Sequence, residues 1–255
     1  MGLRINIQLL LDLIKPNPGD AAALLWYRAV SAHLMSEGQL SEAPAHLERA
    51  RDVFPDRAVF LLDSAYLHQE LSSPAMQAAV QELRADGTGA AIGSRRNELQ
   101  RAEHFLRQAL ALAPDHAEAR LRLGHMLGEL GRHDEAAAEL RSSLEARLDR
   151  DQLYLAHLFL GRAEQALGRR DEAKRRYEQA ATLYPRAQSP RLALGQLARE
   201  SGDRAGALRA VQHVTAPLPS GLDRTDPWWS YYYPHLKDAA ELMEEMRRIG
   251  SGEAR

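Results

Sequence analysis

The sequence predicts an all-α fold, a right-handed α-solenoid of antiparallel helix pairs with a C-terminal capping helix, and three observations lead there. A unit is repeated: "LGELGRHDEAAAEL" at 127–140 returns as "EQALGRRDEAKRRY" at 164–177 and again, more loosely, in "RESGDRAGALRAV" at 199–211. Ala, Leu and Arg dominate the composition and aromatic residues are few, which favours helices. Gly and Pro fall between the apolar runs and so punctuate them.

Taken in order, residues 1–20 form an N-terminal helix that is the remnant of a preceding unit, followed by the turn "KPNPGD". Residues 21–219 hold about five helix-turn-helix units. In the three clearest, Gly124, Gly161 and Gly195 mark the first helix, and Ala136, Ala173 and Ala207 mark the second at constant separation. Leu140, Tyr177 and Val211 fill the large position beside them, and Pro114, Pro185 and Pro219 close second helices. Gly161 and Gly195 lie 34 residues apart, whereas Gly124 and Gly161 lie 37 apart, so one connection is longer. Upstream, Tyr27, Ser31 and Leu34 pair with Ala43, Leu47 and Ala50. The second unit is split: Ala65 stands on its first helix, but Ala102, Leu106 and Ala109 arrive only after an insertion at about 72–96. Residues 220–255 are an aromatic linker and a capping helix, with Ala239, Leu242, Met243 and Met246 on one face.

Small residues in these columns let two antiparallel helices approach closely, which repays the roughly 1 kcal/mol that a helical Gly costs against Ala. Gly131, Gly168 and Gly202 fall where a left-handed helix stop is needed. Asp134 and Asp171 are placed to cap the second helices, with Glu135 and Glu172 against the helix dipole. A 34-residue unit with these columns resembles the tetratricopeptide repeat family over about residues 21–219, on Leu123, Gly124, Gly131, Ala136, Leu160, Gly161, Gly168, Ala173, Tyr177, Ala180 and Pro185.

Little in the chain suggests chemistry. With 33 basic and 35 acidic residues the net charge is −2, so neither nucleic acid nor an anionic membrane is an expected partner. The absence of cysteine excludes disulfides and thiolate sites. "INIQLLLDLI" at 5–14 is too short to span a bilayer and lacks a cleavage site, so a cytoplasmic location is expected. The ten histidines show no metal or catalytic spacing, and His68, His104, His116, His133 and His157 read as solvent-facing or core-edge side chains. Gly87, Gly89 and Gly93 lack the strand-to-helix context of a phosphate loop and read as a flexible connector. Ser73 and Pro74 open an inserted helix. No catalytic, cofactor-binding or metal-binding residue is assigned, and the chain is expected not to be an enzyme.

One stripe of the first helices is left over once packing is assigned. It aligns Leu62, Leu121, Leu158 and Leu192 into an apolar row and Tyr66, His125, Arg162 and Gln196 into a polar one, flanked by Arg122, Gln165 and Arg199. The resemblance implies the same surface, since first helices line the concave face on which such proteins bind extended or helical peptides. The family's carboxylate clamp is not expected, because Arg28, Ala32 and His125 stand at the comparable places. The expected function is therefore a non-catalytic scaffold that binds a protein or peptide partner in that groove, with Arg162 pairing a carboxylate or carbonyl. In "DPWWSYYYPH", at 226–235, the rings are expected to pack the cap onto the last unit. The alternative is a docking patch of Trp228, Trp229 and Tyr232, since Trp228 and Trp229 cannot both point inward. Two further alternatives are self-association through the open N-terminal end or the aromatic tail, giving a homo-oligomer, and an enzyme site at the insertion or the tail.

Overall fold

The computed structural model describes residues 21–40, 42–85, 93–215, 226–233, 239–242, 244–246 and 248. The expected N-terminal helix, Gly87, Gly89, Pro219 and Met243 lie outside the described residues. Among the described residues there is no strand, and the chain is an all-α helical-repeat solenoid.

Helices follow as α1 (Ala21–Ser36), α2 (Ala43–Val53), α3 (Ala58–Leu71), α4 (Pro74–Ala85), α5 (Arg95–Leu112), α6 (Ala117–Glu129), α7 (His133–Leu144), α8 (Arg150–Ala166), α9 (Arg170–Leu183), α10 (Ser189–Glu200) and α11 (Arg204–Thr215). α1 packs on α2, α6 on α7, α8 on α9 and α10 on α11. α3 takes α5 as its partner across the intervening α4, whose first turn is capped by the Ser73 hydroxyl accepting from Met76 N at 3.3 Å. The longer connection before α8 ends in a capping box of Asp149 and Gln152.

The small columns explain the close pairing. A Cβ on Gly124 would meet Leu140 Cγ at 2.5 Å, and one on Gly161 would meet the Tyr177 ring at 2.6 Å. The last pair differs from the pattern: Gly195 faces Ala210 at 2.8 Å, and Val211, assigned to the large position, is 53% exposed. Gly131 turns with φ +82° and closes α6 by letting Arg132 N reach Leu127 O at 2.9 Å. Asp134 and Asp171 do not cap: the N-cap residues of α7 and α9 are Arg132 and Arg169, leaving both carboxylates inside the first turn, where they act on the helix dipole and Asp134 also accepts from Arg169 at 3.3 Å.

The described residues of the C-terminal element pack on the first helix. Ala239 and Leu242 are buried with Ala29 and Ala32 of α1, with Leu25 and Met246 at the margin, so the chain's end covers the inner face of its first helix. The small side chains of α1 leave room there for a close helix contact. Correspondingly, α11 keeps Leu208 and Val211 exposed.

Candidate functional site

First helices α3, α6, α8 and α10 present one shared inner face, and the segment Asp226–Tyr233 lies on it. Asp-Pro at 226–227 starts a short 3-10 helix, Pro227–Ser230, because the Asp226 carboxylate accepts from Trp228 N at 3.1 Å and Pro suits the first helical position. The rings that follow turn inward onto the inner face, where Trp228 also faces the groove bounded by α10 of the last repeat.

Three anchors hold the segment. The Asp226 carboxylate, 5% exposed, accepts from Tyr154 Oη at 2.7 Å, Ser189 Oγ at 2.7 Å and Ser189 N at 3.0 Å. Ser189 opens α10, whose own N-cap residue Gln188 makes no side-chain cap bond, so a distant carboxylate serves that helix end. Burial and Asp226 push the Tyr154 hydroxyl far above its ordinary pKa, which keeps it a donor.

Tyr231 is the second anchor. Its hydroxyl accepts from Gln69 Nε2 at 2.6 Å and its carbonyl accepts from Arg122 Nη1 at 3.2 Å. The Arg122 guanidinium lies between the Tyr66 and Tyr231 rings, 4.3 Å and 4.7 Å from their centroids, and donates to Gln69 Oε1 and Glu118 Oε1 at 2.9 Å each. Burial disfavours its charge, but Glu118 and the two tyrosines outweigh burial and hold its pKa above the ordinary value.

The third anchor is a ring cluster. Trp228 stacks on Tyr231 and meets Phe159 edge-on at 5.6 Å, and His125 stacks on Phe159 at 4.0 Å. Burial lowers the pKa of His125 to about 3, and neither of its ring nitrogens has a protein hydrogen-bond partner. The Glu129 carboxylate is 3.8 Å away; burial acts to raise its pKa, but His125, Arg162 and Arg95 together hold it low. A cavity of about 90 Å³ adjoins His125, bounded also by Glu129, His133 and Arg162. A buried polar group without a partner costs about 1–3 kcal/mol, so this is the weakest part of the fit.

The expected groove residues thus fall into two sets. Leu62, Tyr66, Leu121, Arg122, His125 and Leu158 are all buried; Arg122 and His125 touch the segment directly, and Tyr66 lies against the Arg122 guanidinium. Leu158, Arg162, Gln165, Leu192 and Gln196 line an open groove of about 610 Å³ between α8 and α10, with Trp228 as one wall. Arg199 is exposed and lies outside that lining. Arg162, expected to meet a partner's carboxylate, already pairs with Glu129 at 2.7 Å, and Arg95 joins the same carboxylate. Of the aromatic patch, Trp228 and Tyr232 pack inward and Trp229 is 66% exposed. His68, expected at the surface or core edge, is buried against Glu98 at 2.6 Å.

Gln69, Tyr154, Phe159, Asp226 and Tyr231 were not singled out from sequence, whereas Ser189 falls on the same first-helix stripe as Leu192, Gln196 and Arg199. Only the Asp-Pro start of the 3-10 helix carried a local signal.

Fold and site define a helical-repeat protein whose inner face holds a segment of its own chain. Two family models described as tetratricopeptide repeat match residues 95–158 and 159–219. The chain belongs to the tetratricopeptide repeat family. Among solved structures it is similar to MamA, residue 41 to the end, from Desulfovibrio magneticus RS-1, at 21% identity and TM-score 0.56, over 77% of this chain and 94% of that one. It is also similar to pilF of Pseudomonas aeruginosa, at 17% identity and TM-score 0.57, over 89% and 91%. YrrB, a TPR protein described as having an unusual peptide-binding site, aligns at 18% identity and TM-score 0.55, over 80% and 89%. No curated protein matches the chain.

Proposed function

We propose that this protein is a non-catalytic interaction scaffold that holds a partner's peptide on its inner face, entering by the open groove between α8 and α10. The observation that carries this reading is that the inner face already holds an eight-residue peptide segment by side-chain hydrogen bonds and ring contacts. The groove continues that surface. Leu192 offers an apolar side chain that is 53% exposed among the described residues, and Gln165, Gln196 and Glu200 supply a hydrogen-bonded rim at 2.9–3.2 Å. Burying such apolar area contributes about 25 cal/mol per Å², and the polar rim fixes register.

Panning a phage-displayed library of random peptides tests the reading. Enriched peptides should bind the unmodified protein and lose about tenfold or more in affinity to Leu192→Glu. Leu208→Glu, on the exposed side of α11, should leave binding intact. Peptides indifferent to Leu192→Glu, or no enrichment at all, would remove the groove from the function.

A further inference from the structure

The segment on the inner face has the properties of a ligand. It is short, it is anchored at three points by side chains, and its bed comes from four first helices that are separate in sequence: Gln69 of α3, Arg122 and His125 of α6, Tyr154 and Phe159 of α8, and Ser189 of α10. The bed has a definite chemistry. One end receives a carboxylate, through two hydroxyls and the first amide of α10. Two positions along the chain an aromatic ring meets Phe159 edge-on, and five positions along a phenol lies under the Arg122 guanidinium and takes a hydrogen bond from Gln69.

The internal occupant does not use everything the bed offers. His125 keeps both ring nitrogens without a protein partner while 3% exposed, and the cavity of about 90 Å³ beside it is bounded by Glu129, His133 and Arg162. A peptide that carried the same acid and rings and also reached His125 would fit better than the chain's own segment.

Building on the groove reading above, we propose that Asp226–Tyr233 is an internal stand-in for the partner. The partner is a peptide bearing a carboxylate followed by aromatic side chains two and five positions later, and it binds by displacing this segment. The tether sets how strongly the segment competes. A short linker holds it at an effective concentration of about 1 mM, so a peptide of tens of micromolar intrinsic affinity binds the intact chain about 10- to 100-fold more weakly than a chain whose segment is released.

The test uses a fluorescein-labelled synthetic peptide of the chain's own sequence, RTDPWWSYYYPH (residues 224–235), titrated into the full chain and followed by anisotropy. The variant Asp226→Ala, Trp228→Ala, Tyr231→Ala changes the segment and leaves the bed untouched. It should bind the probe at least tenfold more tightly than the unmodified chain, and adding Arg122→Ala should remove that gain. Equal binding to the unmodified and released chains overturns the proposal. So does a released variant that keeps its helical circular dichroism yet ignores the probe, since the segment is then a permanent strap; the groove reading would still stand or fall on Leu192→Glu. Should the triple variant lose helicity, the unmodified chain decides. With 5-fluorotryptophan, the Trp228 resonance moves to a solvent-exposed position at millimolar probe, and a resonance that stays put overturns displacement. A mass that doubles with concentration, and reverts to monomer in the triple variant, assigns the bed to a second copy of the chain and overturns the partner chemistry proposed.

Discussion

Replacing Asp226 by Ala isolates the contact that ties the tail to the repeats. The substitution removes the acceptor of Tyr154 Oη, Ser189 Oγ and Ser189 N, at 2.7, 2.7 and 3.0 Å. Hydrogen bonds to a charged group contribute about 1.5–3 kcal/mol each, and a buried hydroxyl left without a partner costs about 1–3 kcal/mol. Tyr154 is fully buried, so its hydroxyl has no water to turn to. These contributions overlap, because the freed end of the segment gives up all of them together. A loss of about 3 kcal/mol in local stability is the outcome, which is on the order of 100-fold faster hydrogen exchange at the Ser189 and Trp228 amides, both donors to this carboxylate. Tyr154→Phe removes one partner only and should show a coupling of about 1.5–3 kcal/mol with Asp226→Ala in a double-mutant cycle. Exchange at Ser189 that changes less than about threefold, or a coupling near zero, would refute the assignment of Asp226 as the anchor.

Other outcomes follow from the same geometry. Gly161→Ala sets a Cβ 2.6 Å from Tyr177, whose hydroxyl is tied to Gln165 Oε1 at 2.9 Å. Overpacking of about 1–3 kcal/mol, less the roughly 1 kcal/mol gained in helix propensity, leaves a net loss of up to about 2 kcal/mol. In a Tyr177→Ala background the penalty should vanish, and thermal denaturation of the four proteins reads both. Stability should also fall on acidification. The folded pKa values of His125 and His157, about 3 and about 4, lie below the unfolded value, so the unfolded chain takes up protons first as pH drops below about 6.5. Glu70 works in the opposite sense: burial raises it to about 7, so the folded chain is protonated first and gains stability as pH falls from 7 toward 4.5. His125→Gln should therefore remove up to about 2 kcal/mol of the loss between pH 6.5 and 5, and Glu70→Gln should deepen it. Denaturant titrations at the two pH values decide, and a slope indifferent to His125→Gln would place that ring in water.

The repeat architecture was legible because its determinants are local and recur. A glycine opposite a large side chain, and Gly131, Gly168 and Gly202 at left-handed stops, are visible in any one unit and convincing in three. Helix starts were less legible, since Asp134 looks like a cap in sequence while the helix begins at His133. The destination of the tail was not legible at all. Gln69 and Tyr231 are 162 residues apart, and nothing local announces their hydrogen bond. A retrospective signal exists on α1: where a later unit carries Arg122 and His125, it carries Ala29 and Ala32, two small side chains that the described C-terminal residues cover. The apolar face of that C-terminal stretch was visible, but an amphipathic pattern says that a face is buried and leaves open which surface buries it. The open α8–α10 groove was half legible: Leu192 and Gln196 are exposed in it, while Arg162 turned out to be engaged by Glu129.

The central claim is that the chain returns along its own inner face, so that Tyr231 lies among residues of α3, α6 and α8. Proton–proton Overhauser contacts between aromatic rings test it most directly. Tyr231 and Phe159 have centroids 5.0 Å apart, and Tyr154 and Tyr184, an in-repeat reference, are 5.1 Å apart. With selectively labelled rings, the Tyr231–Phe159 cross-peak should appear with an intensity comparable to that of the reference pair. A clear Tyr154–Tyr184 peak with no Tyr231–Phe159 peak would contradict the account.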